Sequence, residues 1–176
     1  MDEVISIELA SASDAKSVIT LLTEVGLPTH GVGEQIKNFL VAREDGQVIG
    51  CVGLETYGES CLLRALAVRP DFQGKGLGLE LMRQIISRAR QQGLKQAVIL
   101  THTVERLAAK IGFERIPRES VDPRVAQSWE FQATACQQAV CMRLNLNATV
   151  VPSGETANLA TEAQRQRENS NQKTSV

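Results

Sequence analysis

The chain contains 176 residues, a length typical of one domain with a two-layer core. Its 19 basic and 20 acidic side chains nearly cancel, which argues against a nucleic-acid partner. No apolar run approaches the ~20 residues that span a bilayer, and the acidic start MDEVISIELA does not resemble a secretory signal, so we expect a cytoplasmic protein that does not contact a membrane.

The first half of the chain has the patterns of one strand, two helices and two hairpins. Residues 4–9 alternate as a strand, apolar residues recur at helical spacing over 15–25, and a second short helix is predicted over 34–38. Asp45-Gly46 separates two β-prone runs, 39–43 and 47–55, which is a strong hairpin signal. A second hairpin at Gly58-Glu59 leads into a strand over 60–68.

The second half alternates helices and strands and then changes in composition. An amphipathic helix is predicted from Leu77 to near Gly93, a buried strand over 96–101, and a short helix over 104–111. A further helix is expected around Trp129, and a last strand over 139–146. Residues 1–147 therefore form the predicted domain, and the polar residues 148–176 a disordered tail. This order of elements predicts an α+β fold, with a mixed sheet and helices on both of its faces.

The four cysteines have two interpretations. None of them forms a CxxC pair, which disfavours a zinc site or a thioredoxin-type site. The simpler interpretation is that they are buried apolar residues in a reducing compartment. The alternative is a thiol cluster that binds a soft metal or metalloid, formed by Cys51, Cys61, Cys136 and Cys141.

A glycine-rich segment, LAVRPDFQGKGLG, lies just before the amphipathic helix. It is not a Walker A loop, because Gly74-Lys75 is followed by Gly76 and not by Ser or Thr. It is not a dinucleotide fingerprint either, because it follows a run of hairpins and has no acidic residue about 20 positions later. Glycines that open a helix can still hold a bulky anion on free amides, without a metal, and Lys75 can add a charged contact. The alternative is a simple glycine-rich helix cap.

The segment resembles the acetyl-CoA loop of the GCN5-related N-acetyltransferases, the GNAT superfamily. The similarity lies in L-x-V-x-P-x-x-Q-G-x-G-x-G and is reinforced downstream by VILTHT and IGFERI. Within the superfamily, GCVGLETYG, LRALAV, ILTHT and AVCMRL are most similar to small acetyltransferases associated with arsenic resistance, and to the acetyltransferase domain of N-acetylglutamate synthases. The resemblance implies a mostly antiparallel sheet of six to seven strands.

The resemblance also implies how acetyl-CoA, the co-substrate, would bind. Loop amides would hold its pyrophosphate, the end of the preceding strand would pair with the pantetheine arm, and one amide, that of Leu66, would face the thioester oxygen. No metal is implied. The positions concerned are Leu66, Ala67, Val68, Gln73, Gly74, Lys75, Gly76, Leu77 and Gly78.

The proton acceptor for the attacking amine is left open between two residues. His102 follows the buried strand, and histidine changes its charge near neutral pH. Glu55 lies at the end of the third strand, and Tyr57 follows it. Each could instead be a solvated strand-end residue. Many relatives have a tyrosine four residues before Gly-Phe that protonates the CoA thiolate. Ala108 occupies that position here, so the thiolate leaves unassisted or with help from Tyr57.

The acceptor is expected to be the amine of a small, amino-acid-like molecule. Relatives that acetylate glutamate have an arginine near Thr103, so glutamate itself is doubtful here. Arg64 and Arg143 could bind a carboxylate instead, although solvation at a strand edge is the simpler interpretation of both. Two other functions remain open, a non-catalytic acyl-CoA-binding or metalloid-sensing module and a protein or peptide N-acetyltransferase. Homodimerisation is also open, since no residue argues for it.

Overall fold

The computed structural model describes residues 4–147, which fold into seven strands and six α-helices. The predicted tail, 148–176, lies outside the described residues. In chain order the elements are β1 (Ser6–Leu9), α1 (Ala15–Glu24), α2 (Val32–Gln35), β2 (Phe39–Glu44), β3 (Gln47–Tyr57), β4 (Ser60–Val68), α3 (Leu77–Gln91), β5 (Gln96–Thr101), α4 (Glu105–Ile111), β6 (Glu114–Arg115), α5 (Pro123–Ala126), α6 (Trp129–Gln132) and β7 (Val140–Asn145).

All seven strands form one sheet in the order β1-β2-β3-β4-β5-β7-β6. Neighbouring strands are antiparallel except β4 and β5, which are parallel and joined through α3. A parallel pair needs such a crossover, whereas the β2–β3 and β3–β4 pairs need only tight turns. The first of these turns places Asp45 at φ 48° and Gly46 at φ 78°, the positive values of a two-residue hairpin.

Helices cover both faces of the sheet because adjacent strand residues point to opposite sides. On one face, Val52 of β3 packs in the same cluster as Leu81 and Ile85 of α3. On the other face, Cys51 packs with Val18 of α1. The α5–α6 segment covers the rest of this second face through a third apolar cluster. The predicted α+β fold with a mixed sheet and helices on both faces is confirmed.

The predicted elements are all present, with small differences at their ends. The first strand begins at Ser6 and not at residue 4, and the short helix begins at Val32, two residues before the predicted start. The two-residue strand β6 was not predicted. It pairs with β7 through Glu114 and Arg115, and so short a segment has no periodicity from which to recognise it.

The cysteines are buried apolar residues, as the simpler interpretation held. Cys51, Cys61 and Cys141 belong to three different clusters of the core. Burial raises the pKa of the Cys51 and Cys61 thiols to about 12, so neither is a ready thiolate. Over residues 4–147, no three His, Cys, Asp or Glu side chains come together as metal ligands. The alternative interpretation, a thiol cluster, is therefore wrong for the described residues.

The helices of the described region are too short or too polar to cross a bilayer.

Gly53 allows close packing of the sheet against an aromatic ring. A β-carbon at this position would lie 2.6 Å from the ring of Phe39, which is 1% exposed. We expect Gly53→Ala to lower the free energy of unfolding by about 1–3 kcal/mol, since a buried ring cannot move aside freely. The measurement is urea unfolding.

Gly33→Ala is the matched control for this substitution. Gly33 lies in α2 with open space around its β-carbon position, so alanine there should leave stability unchanged or slightly raised. Equal unfolding midpoints for the two variants would show that the Phe39 ring accommodates a methyl group.

Candidate active site

The central feature of the site is a cleft where β4 and β5 separate. The two strands pair at only three positions, from Ser60 opposite Gln96 to Leu62 opposite Val98. Beyond them a cavity of about 610 Å³ opens between the strands. Its walls are mostly apolar and come from the loop after α1, from β3, β4, α3, β5 and α6, and from the segment before β7. A cavity of this size suits a small organic ligand.

A bulge in β4 shapes one wall of the cleft. Between the pairs Cys51–Ala67 and Gly53–Arg64, β4 contains one more residue than β3, and Ala65 has φ 55°. Positive φ in a residue with a side chain is strained and occurs most often where function requires it. The bulge bends the end of β4 away from β5.

The backbone beyond the bulge presents amides to the cleft. The amide of Arg69 donates to Ile49 O of β3 at 2.8 Å. Backbone groups alternate sides along a strand, so those of Val68 and Leu66 face the open side. Consistent with this direction, Val68 O accepts a hydrogen bond from Gln73 Nε2 of the following loop, at 2.8 Å.

The glycine-rich loop ends at the N-terminus of α3, beside the cleft. Gly74 and Gly76 have φ of 77° and 87°, values that glycine adopts without strain. The first helical bond runs from Glu80 N to Gly76 O, so the amides before Glu80 have no partner within the helix. With the positive end of the helix dipole, free amides of this kind are able to bind an anion.

Arg64 and Glu55 form a buried ion pair on the sheet, on the face covered by α6. Arg64 Nη1 donates to Glu55 Oε1 at 2.7 Å, and the Tyr57 hydroxyl donates to Glu55 Oε2 at 2.6 Å. Arg64 is 6% exposed, so the interpretation of Arg64 as a solvated strand-edge cation is wrong. Arg64 lines the cavity, but Glu55 and Tyr57 are not among its lining residues. Both carboxylate oxygens of Glu55 are thus occupied.

Burial and the hydrogen bond to Glu55 both raise the pKa of Tyr57. Its hydroxyl is a donor to Glu55 and lies outside the cavity lining, and so it is poorly placed to protonate a leaving group in the cleft. At the position where many relatives have a tyrosine, Ala108 is fully buried in the core against α3.

Of the other predicted site residues, two lie at the cavity and one lies away from it. His102 and Thr103 line the cavity from the loop after β5, and both are exposed. His102 Nε2 lies 3.2 Å from Ala135 O. Arg143 lies elsewhere, in a shallow surface depression with Ser120 and Asp122, so it is not part of this cavity.

Sequence reasoning missed Glu130, the second residue of α6. It lines the cavity, and its Oε2 atom is buried without a hydrogen-bond partner in the described part of the chain. Burial raises the pKa of Glu130 to about 7, because the charged form loses solvation, and Arg64 opposes only part of this effect. A lone carboxylate has no spacing pattern, so the sequence contains no signal for it.

The loop after α1 and helix α6 meet above the cavity. The rings of His30 and Trp129 stack with centroids 4.6 Å apart, and Trp129 lines the cavity. Arg118 holds the α6 segment in place by donating to Phe131 O and Cys136 O. The wall that contains Glu130 is therefore anchored to the rest of the domain.

The acetyltransferase (GNAT) family model matches residues 19–113, more than half of the chain, so the chain belongs to this family. An amino-acid acetyltransferase of Ralstonia nicotianae is 34% identical over 99 residues, which are 54% of this chain and 22% of that protein. An amino-acid acetyltransferase of Neisseria meningitidis is 30% identical over 119 residues, which are 62% of this chain and 27% of that protein. The match thus spans about a quarter of these relatives or less.

Solved structures show the same fold at lower identity. N-acetylglutamate synthase from Neisseria gonorrhoeae, complexed with coenzyme A and N-acetyl-glutamate, has a TM-score of 0.71 at 22% identity, covering 84% of this chain and 36% of that one. The ribosomal-protein-S18-alanine N-acetyltransferase of Escherichia coli has a TM-score of 0.65 at 14% identity, and the match covers 86% of this chain and 100% of that one. These likenesses concern the fold alone.

Proposed function

We propose that the chain is an N-acetyltransferase that moves the acetyl group of acetyl-CoA to the amine of a small, amino-acid-like molecule. One observation carries the proposal. The cleft between β4 and β5, with amides of β4 facing it, lies beside an anion site at the start of α3. A long ligand with a phosphate end and an amide-bearing arm fits both features at once.

The donor would lie along the loop and β4. Amides from Gly74 to Gly78 would bind the pyrophosphate, and Lys75 would add a charged contact. Gln73 would hold the loop in position through its hydrogen bond to Val68 O. The pantetheine arm would pair with residues 66–68, and the Leu66 amide would stabilise the negative charge that develops on the thioester oxygen.

The acceptor would enter the cavity from the side of α6 and the loop after α1. Arg64 lines the cavity there, and its guanidinium would bind the carboxylate of the acceptor. His102 and Thr103 stand at the same cavity. Of the two predicted bases, only His102 lines the cavity. Glu55, bound by Arg64 and Tyr57, would position Arg64.

The names of the relatives support an amino-acid acceptor, and a cavity of about 610 Å³ has room for one. One structural neighbour is named for a ribosomal protein, so acetylation of a protein N-terminus is the second candidate. The Trp129 ring favours the small molecule, since it lines the cavity and is held by stacking on His30, where a peptide would need an open groove.

The test is an assay of free CoA thiol with acetyl-CoA and a panel of amines. The panel contains the common amino acids, arsenic-containing amino acids, other small amines, and peptides with free N-termini. Arsenic-containing amino acids are included because the resemblance to arsenic-resistance acetyltransferases remains a prediction. We expect at least one amino acid to release CoA thiol faster than acetyl-CoA hydrolyses without an amine. Peptides should cause no such increase. Tight binding of acetyl-CoA without release on any amine would instead indicate a non-catalytic binding module.

A further inference from the structure

Glu130 combines three properties that no other described residue of the cavity shares. It carries a carboxylate, it lines the cavity, and one of its oxygens is buried without a donor. A buried charged oxygen without a partner is costly, so such groups are kept where a ligand or a proton supplies the missing partner. The position is stable because Ser128 caps α6 and Arg118 holds its C-terminal end.

Arg64 supplies the opposite charge in the same cavity. Its Nη1 atom is used by Glu55, and its Nε atom is buried without a partner in the described structure. Two residues of the cavity wall therefore each have a buried, unpaired atom among the described residues, an acceptor oxygen on Glu130 and a donor nitrogen on Arg64. An amino acid in its zwitterionic form carries the matching pair, an ammonium group and a carboxylate.

Four other titratable or charged groups lie in the field of Glu130 or line the same cavity, and each of them comes from a different element. They are Glu55 of β3, Arg64 of β4, His102 of the loop after β5, and Cys136 of the turn after α6. Arg64 favours the charged form of Glu130, and burial and Glu55 favour the neutral form.

We propose that Glu130 binds the ammonium group of the acceptor and removes its proton, so that Glu130 is the general base of the reaction. This inference rests on the proposed N-acetyltransferase function. The ionised carboxylate of Glu130 takes one proton from the ammonium group and leaves a neutral amine. The amine nitrogen forms a bond to the thioester carbonyl carbon, and the carbon–sulfur bond breaks. The nitrogen loses a second proton, the CoA sulfur gains one, and Glu130 returns its proton to water.

Glu130 suits this role better than the two residues predicted from the sequence. Both oxygens of Glu55 already accept hydrogen bonds. His102 is exposed, and its Nε2 atom lies against Ala135 O. A general base works best when its pKa lies near the working pH, and burial brings the pKa of Glu130 to about 7.

The test compares Glu130→Gln with wild type, using the acceptor found in the amine panel. We expect kcat to fall by about 10²-fold or more, while the Kd for acetyl-CoA stays within twofold. In wild type, kcat should rise with pH through about 7, because Glu130 is charged only above its pKa. This rise should be absent in Glu130→Gln and retained, at lower activity, in Glu130→Asp.

Two further variants make the result specific. Glu119→Gln changes an exposed glutamate and should keep both kcat and the pH profile. His102→Asn should keep the rise near pH 7. Thermal unfolding checks the fold, and Glu130→Gln should unfold no earlier than wild type because it removes a buried unpaired charge.

The possible failures can be told apart. Activity of Glu130→Gln within twofold of wild type, or a pH rise that disappears in His102→Asn and persists in Glu130→Gln, would overturn the role of Glu130 and leave the acetyltransferase proposal standing. Wild type that binds acetyl-CoA but acetylates no amine would overturn both.

Discussion

Gly76→Glu is expected to weaken binding of acetyl-CoA by about 3 kcal/mol, or roughly 10²-fold in Kd. The new carboxylate would stand where the pyrophosphate is proposed to bind, at the first free amides of α3. Like charges would then compete for the same donors. Isothermal titration calorimetry with CoA and acetyl-CoA measures the change.

Gly93→Glu is a closely matched control for this substitution. Gly93 has φ 76° against 87° for Gly76, and both positions have open space where a β-carbon would lie. The backbone strain of a glutamate is therefore similar at the two sites, but Gly93 follows the C-terminal end of α3, far from the proposed anion site. The placement of the pyrophosphate would be contradicted if both variants lost the same affinity for acetyl-CoA, or if neither variant lost any.

Arg64→Met is expected to lower the free energy of unfolding by about 3–5 kcal/mol, the usual cost of removing one partner of a buried ion pair. The side chains of Arg64 and Glu55 are only 3% and 13% exposed. Without the guanidinium, Glu55 keeps only its bond from Tyr57, and it also lies in the field of Glu130. Urea unfolding with an unchanged m-value gives the difference.

Arg115→Met serves as the control, because Arg115 also pairs with a glutamate, Glu105, but does so in solvent. Exposed ion pairs contribute little, so its urea midpoint should match wild type. The double variant Glu55→Gln/Arg64→Met should recover part of the stability lost in Arg64→Met, since the unpaired charge is gone. If Arg64→Met unfolds at the same midpoint as Arg115→Met, the Arg64–Glu55 pair does not stabilise the fold.

The absence of a phenol at the Ala108 position agrees with the packing around it. Ala108 is fully buried in the same core cluster as Phe113 and Leu144, where a larger side chain would have to displace its neighbours. Tyr57 does not replace it, since its hydroxyl is bound to Glu55 outside the cavity lining. We therefore expect the CoA thiolate to leave without a tyrosine as proton donor.

Local features of the fold were predictable from the sequence because they depend on a few neighbouring residues. The Asp45-Gly46 turn needs only two residues that tolerate positive φ. The stripe on α3 and the alternation over residues 4–9 follow from the periods of helix and strand. The glycines before α3 likewise predict an anion site, because they act through their own backbone.

The proposed acceptor side of the site was decided by the tertiary structure alone. The pairing of Arg64 with Glu55 depends on the register of β3 and β4, including the bulge at Ala65, and no local pattern specifies it. Glu130 reaches the cavity only because α6 packs on the sheet beside Arg64. Charges that meet across the fold gain their energy from desolvation and mutual distance, which a one-dimensional pattern does not contain.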